Sequence, residues 1–334
     1  MYTIHPAKIK KGDTIGVVSP SSPAAAMCPR RLRRGQDELE KLGFKVKLGK
    51  YVSEHYKHMA GTVQQRIEDL HTMFADDEVK TIICTIGGLN SNQLLESLDY
   101  DLIQAHPKIF IGFSDITALL NAIYAKTGLV TYLGPALLPQ FGEFGGILPY
   151  SWKYLEKVLM QTESFHIEAS AEWTDEFTPW DKEDDRLRNM RANEGIKVFK
   201  PGKASGIMVG GNVGTLLLLN GSPYMPSLQD VILCVEEDEV ETPGTIDRLF
   251  TQLRHIGAYS KIKGMLIGRF NSKVGFKKED SLEDILLATT AGFDFPILYD
   301  LDFSHTDPMI TIPIGGKCDI NTEDKSIVFS SFIQ

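Results

Sequence analysis

The chain has 334 residues, 43% hydrophobic and 24% charged, an ordinary globular composition with room for two domains at about 150 residues each. Its 35 Lys and Arg against 44 Asp and Glu leave a formal charge of −9, which argues against nucleic acid or an anionic membrane as partner. No signal-like stretch opens the chain, no apolar run approaches the roughly 18 residues of a membrane span, and Cys28, Cys84, Cys234 and Cys318 lie far apart. A reduced, cytoplasmic protein is expected.

In chain order, Thr14–Ser19, Phe44–Leu48, Thr81–Ile86 and Ile109–Phe113 read as strands. Between them Arg30–Leu42, Thr62–Ala75 and Asn92–Leu98 carry apolar residues at helical spacing, with Gly43 as a stop after the first. This alternation predicts a parallel sheet covered by helices over residues 1–165. Residues 166–202 change character: Trp173, Phe177 and Trp180 sit among many charges with no clean period. They read as a surface linker or flap, and long loops of this kind tend to carry function. Over 203–334 the alternation resumes, with strands at Gly206–Val209, Val231–Val235, Gly264–Ile267 and Ile327–Phe332, and helices at Val213–Leu219, Thr245–His255 and Ser281–Thr289. A second α/β domain is expected there.

Four segments could carry chemistry. Ile109–Gly112 runs through Phe113-Ser114-Asp115 into an apolar helical stretch, so Ser114 occupies a sharp strand-to-helix turn of the sort that exposes a nucleophile. The plainer reading is a helix cap; the second glycine of Gly-x-Ser-x-Gly is missing. Gly87-Gly88 ends another strand, where adjacent glycines can present N–H groups to an anion or simply make a turn. The spacing fits neither a Walker loop nor a dinucleotide fingerprint. Glu236 is the first acid after the apolar run Val231–Val235, ahead of Glu237, Asp238 and Glu239. His305 lies in a short polar loop between apolar segments, whereas His55 and His58 lack the further ligands of a zinc site. A Ser, a Glu and a His at strand ends supply the three roles of an acyl-transfer triad, but periodicity cannot show that they meet.

At these residues the chain resembles the LD-carboxypeptidase family of serine peptidases, and within it the microcin C immunity branch. The resemblance covers nearly the whole chain and rests on Thr85–Asn92, Gly112–Thr117, Gly210-Gly211-Asn212, Val235-Glu236-Glu237 with Ile246-Asp247-Arg248, and Ser304–Pro308 with Ile312–Gly315. It implies a flavodoxin-like N-terminal domain, a swivelling C-terminal β/α domain, and a metal-free, cofactor-free homodimer with the site between the domains. It assigns the nucleophile to Ser114, the orienting acid to Glu236, the base to His305 and the oxyanion hole to the N–H groups of Gly88 and Asp115. Gly87, Trp180 and Asn212 fall at substrate-binding positions. Two positions depart from the family pattern: Ser304 replaces a common glycine, and Glu236-Glu237 replaces Glu-Asp. Glu236 is preferred as the acid because it directly follows the apolar run, leaving Glu237 on the opposite side.

The substrate division is implied in the same way. One branch removes D-alanine from muropeptides. The immunity branch cleaves the amide-type bond between an aminoacyl group and a nucleotide-like moiety and carries an extra aromatic loop, which the Trp173 to Trp180 stretch resembles. A peptidyl-nucleotide substrate is therefore expected, with a muropeptide as the alternative. A reading of another class is a non-catalytic protein of two lobes closing on a ligand; such proteins are often exported, and no signal peptide supports that here.

Overall fold

A computed structural model describes residues 2–334. The strands β1 (Thr14–Val18), β2 (Lys45–Leu48), β3 (Val79–Cys84), β4 (Ile109–Gly112) and β5 (Thr131–Leu133) form a parallel sheet in the order β5-β4-β3-β1-β2. The central strands are buried almost throughout, which is why they read as unbroken apolar runs. Edge strand β2 instead alternates, with Lys45 and Lys47 exposed. Helix α1 (Pro29–Lys41) starts with proline in its first turn, and Gly43 beyond its end sits at φ +100, where a β-carbon is unfavourable. The segment Asn92–Leu98 is not a regular helix: it makes a single 3₁₀ turn at Ser91–Leu94. The helix comes later, at Tyr100–Ala105, because Asp99 accepts the Leu102 N–H at 2.8 Å and caps it there.

A second sheet has four parallel strands at its centre: β6 (Lys203–Asn212), β7 (Val231–Glu236), β8 (Gly264–Gly268) and β9 (Ile297–Leu301). Antiparallel strands flank them, Lys317–Asn321, Ser326–Ser330 and Phe165–His166 beyond β6 and Lys197–Lys200 beside β9. Strand β10 (Ile312–Ile314) leaves this sheet and pairs antiparallel with β5, Ile312 opposite Leu133 and Ile314 opposite Thr131. Residues 302–311 therefore cross from one sheet to the other. Both β9 and β10 escape a periodicity reading because Asp300 and Pro313 interrupt their apolar patterns.

The two sheets meet where helix α2 (Thr117–Thr127) packs on the end of β6. The Asn121 amide donates to the Gly210 carbonyl at 2.8 Å and accepts from the Gly210 N–H at 3.2 Å, and the Asn212 N–H donates to Thr117 Oγ1 at 2.9 Å. Gly211 makes this approach possible, since a β-carbon there would fall 2.4 Å from Thr117 Oγ1, and one on Gly210 would fall 1.9 Å from the Cys234 carbonyl oxygen of the neighbouring strand β7. Among the described residues no helix is long and apolar enough to cross a membrane, and all four cysteines are free thiols, three of them buried.

Candidate active site

Strand β4 ends on a tight turn, Ser114–Ile116, that leads into α2. Ser114 has φ +60, uncommon for any residue but glycine, and this turns its half-buried side chain out above the sheet edge. Space for the turn comes from glycines: a β-carbon on Gly87 would lie 2.9 Å from Ser114 Cβ, and one on Gly112 2.8 Å from Ile116 Cγ2. The buried Asp115 carboxylate fixes the surroundings, accepting from Ser21 Oγ at 2.6 Å and from the Ser91 N–H at 2.8 Å, while Ser91 Oγ donates to the Asp115 carbonyl at 2.6 Å. Three loops are thus locked around Ser114 by one carboxylate and its own backbone.

Glu236 is the last residue of β7, and His305 lies on the crossing segment between β9 and β10. His305 Nδ1 donates to Glu236 Oε2 at 2.8 Å, and its Nε2 accepts from Ser114 Oγ at 2.9 Å. The Phe113 ring supports the imidazole, with centroids 5.3 Å apart. Ser, His and Glu thus form one hydrogen-bonded chain across the junction, built from the C-terminal ends of parallel strands in both sheets, where α/β sheets place their ligand sites. Burial pulls the imidazole pKa down, but the carboxylates of Glu236, Asp238 and Glu239 outweigh it, and the pKa is pushed up to about 9. A neutral imidazole in this tautomer can take the serine proton, and the carboxylate steadies the cation that results.

Gly88 has φ +151, and a β-carbon there would meet Ser21 Oγ at 2.4 Å and the Ser22 nitrogen at 2.8 Å. Its N–H donates to no acceptor among the described residues. Asp115 lies in the first turn of its short helix, where N–H groups lack intrahelical partners. Gly88 borders the same cavity as Ser114, and Asp115 follows Ser114 directly in the chain, so these are the backbone N–H groups nearest to hand for the oxygen of a tetrahedral intermediate.

Asn212 sits at the end of β6, where its Oδ1 accepts from the Thr215 N–H at 2.9 Å as the cap of helix α3 (Val213–Leu217) and its Nδ2 donates to Glu237 Oε2 at 2.8 Å. Glu237 faces away from His305, bound by the Gly214 N–H at 2.6 Å as well. Burial, reinforced by neighbouring Glu236, lifts its pKa to about 7. Carboxylate oxygens of Glu237, Asp238 and Glu241 lie within 4.8 Å of one another, but both Glu237 oxygens are already engaged by Asn212, Gly214 and Asp238.

Ser114 and His305 open into a cavity of about 390 Å³ whose wall includes Gly87, Gly88, Phe177, Trp180 and Lys273. The segment predicted as a flap forms that wall and is tethered at both feet. Thr174 and Asp307 exchange backbone hydrogen bonds at 2.7 and 2.9 Å, and Asp302 holds Ser170 and Asn193 together with Arg269. At its tip Asp181 accepts the Arg30 and Arg31 N–H groups at 2.7 and 2.9 Å, supplying the start of α1 with the cap that its own N-terminal residue lacks. Arg31, 1% exposed, pairs with Glu143 at 2.7 Å and Asp184 at 3.2 Å, and its guanidinium carbon sits 4.3 Å from the Trp180 ring centroid. Trp180 thus rests one face on its own protein and also borders the cavity.

Sequence reasoning missed Arg31, Glu143, Asp184 and Arg188, which lace the loop to the first domain. On an amphipathic helix Arg31 looks like part of a solvated face; its partners lie more than 100 residues away. The Asp115 carboxylate, which ties the Ser21 and Ser91 loops to the turn, gives no sequence signal either.

Two family models match the chain: the LD-carboxypeptidase N-terminal domain over residues 15–134 and the LD-carboxypeptidase C-terminal domain over residues 205–320. YocD of Bacillus subtilis is 38% identical over 317 residues, 95% of this chain and 96% of the relative. The microcin C7 self-immunity protein MccF of Escherichia coli is 35% identical over 334 residues, covering 98% and 96%. The probable murein peptide carboxypeptidase of Bacillus subtilis is 34% identical over 328 residues, covering 98% and 94%. A solved structure of MccF in complex with aspartyl sulfamoyl adenosine superposes with a TM-score of 0.92 at 34% identity, covering 99% of this chain and all of that one. With both of its domains matched and relatives similar over almost their full length, the chain belongs to the LD-carboxypeptidase family.

Proposed function

We propose that this protein is a cytoplasmic serine hydrolase, acting as a homodimer, that cleaves the amide-type bond joining an aminoacyl group to a nucleotide-like moiety. The observation that carries the reading is the Ser114–His305–Glu236 chain, at 2.9 and 2.8 Å, opening into a cavity bordered by Trp180. Ser114 Oγ attacks the acyl carbonyl as His305 Nε2 takes its proton, and Glu236 holds the imidazole in the tautomer that can accept it. The N–H groups of Gly88 and Asp115 receive the oxyanion. The imidazolium then returns its proton to the departing nitrogen, and water, activated by the same imidazole, releases the acyl group from Ser114. Trp180 offers a flat ring for a purine, a contact that a muropeptide cannot use. Likeness to MccF, whose solved complex contains aspartyl sulfamoyl adenosine, supports this substrate class.

The test is kcat/KM of the purified protein on aspartyl sulfamoyl adenosine and on a muropeptide tetrapeptide. A preference of about tenfold or more for the nucleotide compound is expected, since discrimination follows differential transition-state binding. The reverse preference would assign the site to peptidoglycan turnover, and inertness towards both would remove the reading.

A further inference from the structure

Ser304, the residue before the imidazole, has φ +155, a backbone region that sterics nearly reserve for glycine. Its side chain is nonetheless buried, at 2% exposure. The hydroxyl lies 3.0 Å from Glu236 Oε2 and 3.1 Å from the Glu237 carbonyl oxygen. Oε2 is the same oxygen that accepts from His305 Nδ1, while Glu236 Oε1 is buried with no partner. Among the described residues, the carboxylate is therefore held by two donors only, both on consecutive residues of the crossing segment.

We propose that Ser304 is a positioning residue that acts through Glu236. Its hydroxyl fixes the carboxylate against the imidazole and takes up part of the negative charge on Oε2. An acceptor relieved of charge stabilises the imidazolium less, so the hydroxyl holds the His305 pKa below the value a bare carboxylate would impose. The base is then neutral at lower pH and returns its proton to the leaving nitrogen more readily. The other charged groups facing the imidazole are Asp238 and Glu239, from the loop after β7. Lys273 and the paired Asp307 and Arg188 stand along the same cavity wall. None of them is altered by a change at Ser304. The inference rests on His305 serving as the base.

Two variants separate this role from simple packing. Ser304→Gly suits the backbone and removes the hydroxyl; Ser304→Ala removes the hydroxyl and keeps the β-carbon. Imidazole carbon-13 titration by NMR, with His305 assigned from a His305→Gln sample, reads the pKa without any substrate. In both variants it is expected to rise by about half a unit to one unit, from the lost donor. The acid limb of kcat/KM moves the same way, and kcat falls roughly 10- to 140-fold, the range for one hydrogen bond to a charged group. Ser304→Gly melts no lower than the wild type, because glycine relieves the backbone. An unmoved His305 titration in both variants overturns the proposal, even if activity is lost. Wild-type protein inert towards every acyl substrate would instead strike at the hydrolase reading, while the titration still decides the role of Ser304 towards Glu236.

Discussion

Replacing Trp180 by alanine separates the two substrate classes. Arg31 covers one face of the indole at 4.3 Å from the ring centroid, and Phe177 stands beside it, tilted by 39° with centroids 6.3 Å apart. Because the ring also lines the cavity, it can make one stacking contact with a bound base. Such a contact is worth about 1–3 kcal/mol, and at about 1.4 kcal/mol per decade kcat/KM on aspartyl sulfamoyl adenosine falls roughly 5- to 100-fold. Losing the partner of the Arg31 guanidinium, at about 0.5–2 kcal/mol, weakens loop docking and so affects any substrate alike. Arg31 keeps Glu143, Asp184 and the Leu138 and Pro139 carbonyls, which limits that common loss. The assay compares kcat/KM of Trp180→Ala on the nucleotide compound and on a muropeptide tetrapeptide, with circular dichroism to verify folding. Equal losses on both would mean that the ring only packs the loop, and no loss on either would remove Trp180 from the substrate site.

Three further outcomes are expected. His305 must be neutral to accept a proton, and its pKa is raised because the carboxylates of Glu236, Asp238 and Glu239 outweigh burial. Hence kcat/KM climbs with pH along an acid limb above the ordinary imidazole value of about 6.5. Glu239→Gln shifts that limb down, and a profile already flat at pH 6 contradicts the assignment of the base. Gly87→Ala pushes a methyl to 2.9 Å from Ser114 Cβ and 3.1 Å from the Asp115 nitrogen, so kcat falls by about tenfold or more in a folded protein, as small misplacements of a reacting group do; wild-type kcat would show that the turn tolerates it. Asp184→Ala leaves Arg31 buried with one acid fewer, a loss of about 3 kcal/mol for the buried pair. The loop around residues 181–188 then becomes sensitive to limited proteolysis, and an unchanged digestion pattern would show that other contacts hold it.

Ser114, Glu236 and His305 stand out in the sequence for a local reason. Ser114 and Glu236 close apolar runs that become buried parallel strands, and His305 lies in a short polar loop between two apolar segments. Their convergence depends on β10 crossing to the first sheet, and Pro313 hides that strand from any periodicity test. Ser304 carries a tertiary message as well: only the folded loop shows that its hydroxyl reaches Glu236 at 3.0 Å. The partners of Asn212 are equally hidden from the sequence: only the fold shows its amide capping α3 and bonded to Glu237. The loop over 166–202 was legible as irregular, but its anchors are ion pairs to residues far along the chain, and sequence separation carries no signal for those.

The most direct measurement is kcat/KM of Ser114→Ala on the substrate that the wild-type protein hydrolyses best. The methyl fits where the hydroxymethyl stood, so the melting temperature and circular dichroism stay as in the wild type while activity drops on the order of a thousandfold or more. A folded Ser114→Ala protein that retains activity near the wild-type level would contradict nucleophilic attack by Ser114.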